Sequence, residues 1–439
     1  MATGDSRVRV TRRSIVKASG GFRASPRVLA VSNLDLLPQS IPNSLFCVYR
    51  KPSTGGFGDV VAAFEAKLLL LLDYFLPLTG RLTGSWPPEV YCDNQGGELV
   101  LGEYGAGVAL SVQLLSFACG GYAVAWGSNH SLMDGYSLCM MANAWSQLAR
   151  FGTVPATAMN HDRSVFRPRA APSYGSTVGE AFAPLRGEHL VNALTCESSF
   201  VRRTYYVEAR DLATLRARAN WGRPGERVVA TRLEALSAYL WKALASAVGS
   251  SDESCRMGWW VNGRKRLTSA RYQAAGMGDY IGNVITFAAA ESSVEAVQRR
   301  PLPSVASMVR ESIRSTATEE HFQELVDWVE DHKDVKYVEE PAVGLGSPML
   351  AVTSFAQFSY DTDFGFGHAA LAVPTAVTTL RLCYGFVQII ARPGPGDDGG
   401  WILTMYVWPR LAAVLDSDEE SIFKPLTAEY LGLTLHSRL

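Results

Sequence analysis

Gly127-Ser-Asn-His130-Ser-Leu-Met-Asp134-Gly135 is the stretch at which the hydrophobic pattern changes period. Ahead of it, Tyr122-Ala-Val-Ala-Trp126 alternates as a strand does. Behind it, Gly135-Tyr-Ser-Leu-Cys-Met-Met-Ala-Asn-Ala-Trp145 sets Leu138, Met141 and Trp145 at helical spacing. His130 therefore stands at a strand-to-helix corner, where backbone geometry presents a side chain to a cleft and Asn129 or Ser131 can hydrogen-bond locally to hold the turn. The corner gathers a general base, a carboxylate four residues on and a glycine, and we read it as the active site. His-x-x-x-Asp alone arises by chance in roughly every third chain of this composition. Two other readings apply: a surface histidine followed by Asp134 as a helix cap, and a metal-ligand pair, for which no third His, Cys or Glu clusters nearby.

The chain has 439 residues, enough for about two to three domains with full-sized cores. Hydrophobic residues make up 47%, charged residues 19%, and the formal net charge is -1, as in an ordinary globular protein. The 41 Lys and Arg balance 42 Asp and Glu without a dominant basic block, which argues against a nucleic-acid partner. The cysteines Cys47, Cys92, Cys119, Cys139, Cys196, Cys255 and Cys383 are odd in number, dispersed and free of any C-x-x-C pair. They point to a reducing compartment and away from zinc. Arg7, Arg9, Arg12, Arg13 and Lys17 make the amino terminus basic and acid-poor like a transit peptide, but Val8, Val10, Ile15 and Val16 interleave with polar residues as in a strand. A first strand and a cytoplasmic protein are expected. The apolar run Leu68 to Leu72, bounded by Lys67 and Asp73, is too short to span a membrane.

Working outward, Ser44 to Tyr49 reads as a buried strand, and a helix from about Asp59 to Phe75 turns Val60, Phe64 and Leu68 inward, with Asp59 as its cap. Glu89 to Cys92 and Glu98 to Leu101 flank the turn Asp93-Asn-Gln-Gly-Gly97, and Val112 to Phe117 forms a second hairpin-like pair with Tyr122 to Trp126. From about Asn160 to Ser199 periodicity fades among prolines and glycines, as in an interdomain crossover. The expected division is a first domain over 1–165, a crossover over 166–199 and a second domain over 200–439. In the second half, strands are expected at Val201 to Val207, Met257 to Val261, Ala351 to Phe358, Thr379 to Ile390 and Trp401 to Trp408. Helices are expected near Asp211 to Arg218, over Thr231 to Trp241, and around Val305 to Ile313 and Phe322 to Val329. The fold class is mixed α/β (α+β) in both halves.

Several separated segments resemble the plant BAHD acyl-CoA-dependent acyltransferases, whose hallmarks are H-x-x-x-D-G and a carboxy-terminal D-F-G-W-G. They are His130-Ser-Leu-Met-Asp134-Gly135, Asp363-Phe364-Gly365-Phe366-Gly367, Ser32-Asn-Leu-Asp35, Pro77-Leu-Thr-Gly-Arg-Leu82, Phe117-Ala-Cys-Gly-Gly-Tyr122, Gly263-Arg-Lys-Arg-Leu267, Tyr280-Ile-Gly-Asn283 and Thr353-Ser-Phe355. They occur in the family's order and cover nearly the whole chain. The sequence departs from the family pattern at Phe366 and Phe355, each in place of Trp, and at His368, in place of the usual basic residue.

The resemblance implies two chloramphenicol-acetyltransferase-like domains around a central solvent channel. It implies no bound cofactor, acyl-CoA as co-substrate, a small-molecule alcohol or amine acceptor, no membrane span and a monomer. His130 would be the general base of direct acyl transfer without a covalent acyl-enzyme, since no Ser or Cys beside it forms a nucleophile elbow. Asp134 would turn away from the channel and pair with Arg264 or Arg266, Thr353 would donate to the oxyanion, and the loop Asp363 to Gly367 would be structural and remote from His130. The alternatives are a catalytically silent member of the same fold acting as a binding partner of another acyl-CoA enzyme, and a hydrolase using the same base to activate water.

Overall fold

The computed structural model describes residues 12–19, 27–38, 42–101, 109–154, 159–184, 200–220, 228–340, 346–358, 360, 362–375, 384–394 and 399–433. The strand Tyr122–Asn129 lies inside a six-stranded mixed sheet, antiparallel to both Leu110–Ser116 and Pro42–Tyr49. Gly97–Leu101 and Arg12–Val16 extend the sheet on one side and Ala369–Pro374 on the other. Two helices, Phe57–Tyr74 and Gly135–Phe151, share one apolar core with it. Val60, Phe64 and Leu68 of the first meet Leu138, Met141 and Trp145 of the second, with the Phe64 and Trp145 rings 4.9 Å apart. The helical spacing read from the sequence is this buried stripe.

A second sheet of seven strands runs Ile285–Ser293, Ser254–Asn262, Met349–Ser354, Gly385–Ala391, Trp401–Val407, Val201–Val207 and Lys424–Pro425. Its core is built on the helix Arg232–Val248, which buries Leu236, Leu240, Trp241 and Leu244 against Trp259, Val305 and Leu411. A third cluster spans both halves of the chain: Leu34 and Leu36 pack with Tyr280, Phe322 and Leu325. That cluster brings Asp35 to Asn283.

Several elements differ from expectation for local reasons. Asp59 is not the cap of its helix: Gly56 is, and Asp59 reaches back from the first turn to accept the Gly56 N–H at 2.8 Å. Glu89–Cys92 and Gly97–Leu101 do not pair with each other. The former joins Arg27–Ala30 and Arg81–Leu82 in a three-stranded sheet, the latter the first sheet. Their turn is tied instead to the first strand's exit, where Asn94 Oδ1 accepts the Ala18 N–H at 2.8 Å, and a Cβ at Gly96 (φ +97°) would lie 2.6 Å from the Val16 carbonyl. The strand expected over Ala351 to Phe358 stops at Ser354. Within 160–184 lie two short helical turns and the strand Phe182–Pro184, which pairs with Tyr337–Glu339. Residues 185–199 lie outside the described residues, as do Val8, Val10 and residues 379–383 of the expected Thr379 strand. Sequence reading missed Ile285–Ser293 and Ala369–Pro374. The latter leaves the second half to pair with Pro42–Tyr49 at the edge of the first sheet. Among the described residues no helix is long and apolar enough to cross a membrane.

Candidate active site

The strand Tyr122–Asn129 ends one residue before His130, and the helix Gly135–Phe151 starts one residue after Asp134. Asn129 holds the intervening turn, its Oδ1 accepting the Ser131 N–H at 2.9 Å. His130 is partly exposed, and its Nδ1 lies 3.0 Å from Asn283 Oδ1. Burial pushes the imidazole below its ordinary value of 6.5, against the raising influence of Asp134, its own backbone carbonyl, Asn283 and Asp35, which favours the uncharged ring.

Asp134 caps the helix, Oδ1 accepting the Ser137 N–H at 2.9 Å, and so fulfils the cap reading of the sequence. It also pairs with Arg264, which donates from Nη1 to Oδ2 at 2.6 Å and from Nη2 to Oδ1 at 3.1 Å. Both side chains are 2% exposed. Burial by itself would raise the Asp134 pKa, but the Arg264 charge and hydrogen bonds and the N–H groups of Ser137 and Val284 outweigh it and hold the carboxyl below the usual aspartate range. Of the two candidate arginines the structure selects Arg264, which also donates to the carbonyls of Tyr280 and Gly282 and stacks on the Tyr136 ring at 4.5 Å. Arg266 is exposed.

The corner has a second ion pair, between the partly buried Arg163 and the buried Asp35, which sequence reasoning missed. Arg163 Nε lies 2.8 Å from Asp35 Oδ2, and Arg163 also donates to the Leu132 carbonyl at 3.1 Å and to the Ile281 carbonyl. Asp35 Oδ1 accepts the backbone and side-chain N–H of Asn283, each at 2.8 Å. The segment Tyr280 to Asn283 thus lies between two arginine–carboxylate pairs, both of which tie it to the His130 turn. Asp35 and Asn283 stood in segments that carried the resemblance but had no role; Arg163 had no signal, because only folding brings it there.

Gly135 is required sterically: a Cβ there would lie 2.2 Å from Phe355 Cε1. Phe355 follows Thr353 by two residues, just past the end of the strand Met349–Ser354, and the Tyr360 hydroxyl donates to the Gly135 carbonyl at 2.9 Å. Thr353 is half-buried between the flanking strands, opposite Gln388, and its hydroxyl has no hydrogen-bond partner among the described residues.

Asp363 to Gly367 form a loop closed on itself. Asp363 Oδ1 accepts the N–H groups of Gly365 and Gly367 at 2.8 and 3.0 Å, and both glycines have the positive φ the turn demands, +93° and +103°. Phe364 is buried among Tyr49, Phe64, Trp126 and Trp145. Ser146 Oγ donates to the Asp363 carbonyl at 2.8 Å. Since Ser146 lies twelve residues along the helix from Asp134, the loop sits about 18 Å from the His130 end at 1.5 Å per residue. Phe366 is partly buried against the same core. No group of three or more His, Cys, Asp or Glu that could hold a metal ion occurs among the described residues.

The sequence pattern of the Transferase family matches residues 101–420. Anthranilate N-benzoyltransferase protein 3 of Dianthus caryophyllus is 25% identical over 393 residues, covering 81% of this chain and 84% of that protein. Omega-hydroxypalmitate O-feruloyl transferase of Arabidopsis thaliana is 25% identical over 398 residues, covering 81% and 82%. In fold the chain is similar to F. graminearum TRI101 complexed with ethyl coenzyme A, with a TM-score of 0.73 at 16% identity over 90% of this chain and 98% of the other. With 320 of its 439 residues inside the family pattern and H-x-x-x-D-G at a strand-to-helix corner, the chain belongs to the Transferase family of BAHD acyltransferases.

Proposed function

We propose that this protein transfers an acyl group from acyl-CoA to the hydroxyl or amine of a small-molecule acceptor, with His130 as general base. The observation that carries this reading is the setting of His130: partly exposed, engaged through Nδ1 at Asn283, and with no hydrogen-bond partner at Nε2 among the described residues, while burial favours the uncharged ring. A thioester carbonyl is already electrophilic, so the main barrier is deprotonating the acceptor as it attacks, which a neutral imidazole is suited to do. Nε2 takes the acceptor proton as the new bond forms, the tetrahedral oxyanion accepts a hydrogen bond from Thr353, and collapse expels the CoA thiolate, which recovers the proton. The transfer is direct: Cys139, in the helix after the corner, is buried and its thiol is pushed up to about 12, so it is no thiolate nucleophile.

Acyl-CoA and acceptor meet at His130 in a channel between a domain over 1–165 and one over 200–439. The relatives named for N-benzoyl and O-feruloyl transfer support both acceptor classes. The test is thiol release from a panel of acyl-CoAs, with and without mixed alcohols and amines, run beside His130→Ala. Acceptor-dependent release abolished by His130→Ala is expected. Release without acceptor would mean a hydrolase, and silence with CoA still bound would mean a partner-binding member of the family.

A further inference from the structure

The Asn283 side chain has an acceptor and an NH2 group, and all of it is committed. Nδ2 donates to Asp35 Oδ1 at 2.8 Å and to the His130 carbonyl at 2.7 Å, while Oδ1 lies 3.0 Å from His130 Nδ1. Turning the amide over would set its oxygen against a carboxylate and a carbonyl, two acceptors. Asn283 Oδ1 therefore faces the ring and can only accept, so Nδ1 has to carry a proton.

Asp35 is itself held. Oδ2 accepts the Ser32 N–H at 2.9 Å, the Ser32 hydroxyl at 2.8 Å and Arg163 Nε at 2.8 Å. Its Oδ1 is left to the two N–H groups of Asn283, backbone and side chain. Asp35 and Asn283 are both buried and come from opposite halves of the chain.

We propose that Asp35, acting through the Asn283 amide, sets the tautomer of His130, keeping the neutral ring's proton on Nδ1 and Nε2 bare. Asp35 and Asn283 are positioning residues, and the inference rests on His130 being the base. An imidazole without partners holds its proton mainly on Nε2, the form that cannot accept a proton there, so the lock has a chemical purpose. When Nε2 is protonated, Nδ1–H still has its acceptor. The carboxylates whose charge favours the imidazolium are then Asp134 and Asp35, paired respectively with Arg264 and Arg163.

The experiment is 15N NMR of the ring nitrogens in histidine-labelled protein, with His130 assigned by its loss in His130→Ala. The expected result for the parent is an Nδ1–H, bare-Nε2 ring at neutral pH. Asp35→Asn replaces an acceptor by an amide able to donate to Asn283 Oδ1, which lets that amide turn and moves the ring proton to Nε2. Loss of the base in this way is expected to lower kcat about 10²-fold or more with KM unchanged. Removing the Asp35 charge also moves the acid limb of kcat/KM to lower pH, which a purely structural residue would not do. Should Asp35→Asn fail to fold because Arg163 loses its partner, Asn283→Ala keeps the Ser32–Asp35–Arg163 contacts. It frees the tautomer, and kcat is expected to fall about tenfold at unchanged KM. An Nε2–H ring in the parent, or an Asn283→Ala ring and kcat like the parent's, would overturn the proposal. Turnover that survives His130→Ala would instead overturn the base reading, while the ring tautomer still decides this proposal on its own.

Discussion

The two ends of the helix Gly135–Phe151 carry the chain's two aspartate-and-glycine motifs and use them in opposite ways. At its start, Asp134 is 2% exposed, paired with Arg264, and its neighbourhood is filled by hydrogen bonds to backbone carbonyls. Near its end, Asp363 binds the N–H groups of its own loop, and what anchors that loop is an apolar side chain, Phe364, among four aromatic rings. The first arrangement fixes direction, because buried charges and hydrogen bonds are angular. The second fixes position, because packing is not. An imidazole proposed as a general base needs the first; a loop that need only close a core needs the second.

The comparison is broken most severely at His130. His130→Ala is expected to lower kcat by about 10²- to 10⁴-fold with melting unchanged, as read by steady-state turnover and calorimetry. Asp134→Asn leaves Arg264 buried and unpaired. Removing one partner of such a pair costs about 3–5 kcal/mol, so denaturant midpoints should fall sharply and activity should fall with the folded fraction. An inactive variant with an unchanged midpoint and a pH profile displaced by more than about a unit would make Asp134 catalytic. At the other end, Phe364→Ala should also cost about 3–5 kcal/mol, but leave kcat per folded molecule unchanged.

Acid sharpens the contrast further. His161 and His321 are lowered by burial to about 4, and His130 is lowered as well. In each case the unfolded chain takes the proton first, so stability is full above pH 6.5 and falls as pH drops from there towards 4. Unfolding should take up about two to three protons in that window. The acid limb of kcat/KM should likewise lie below pH 6.5, because the proposed base His130 takes up a proton only from its neutral form. Smallest of all, Phe366→Trp, which restores the family residue on a partly buried site, should shift stability by less than about 1.5 kcal/mol and leave kcat alone.

Much of this was legible in the residues. The change from alternating to helical spacing around Gly127 to Gly135 placed the corner, and the buried faces of both helices of the first unit followed from their periodicity. Pairing was less legible. Glu89 to Cys92 and Glu98 to Leu101 look like a hairpin because their turn is short, yet each takes partners from elsewhere in the chain, and Ala369–Pro374 crosses to the first sheet with no local sign of it.

The sequence by itself determined the corner, because that rests on local period, and its motifs in order carried the resemblance to the family and singled out His130 as the candidate base. Only the tertiary structure decided between Arg264 and Arg266, and brought Asp35, Arg163 and Asn283 around the His130 turn. The reason is physical: a buried charge or amide is satisfied by whichever partner the packed core brings within about 3 Å, and Asn283 is 153 residues from His130 and 248 from Asp35 along the chain.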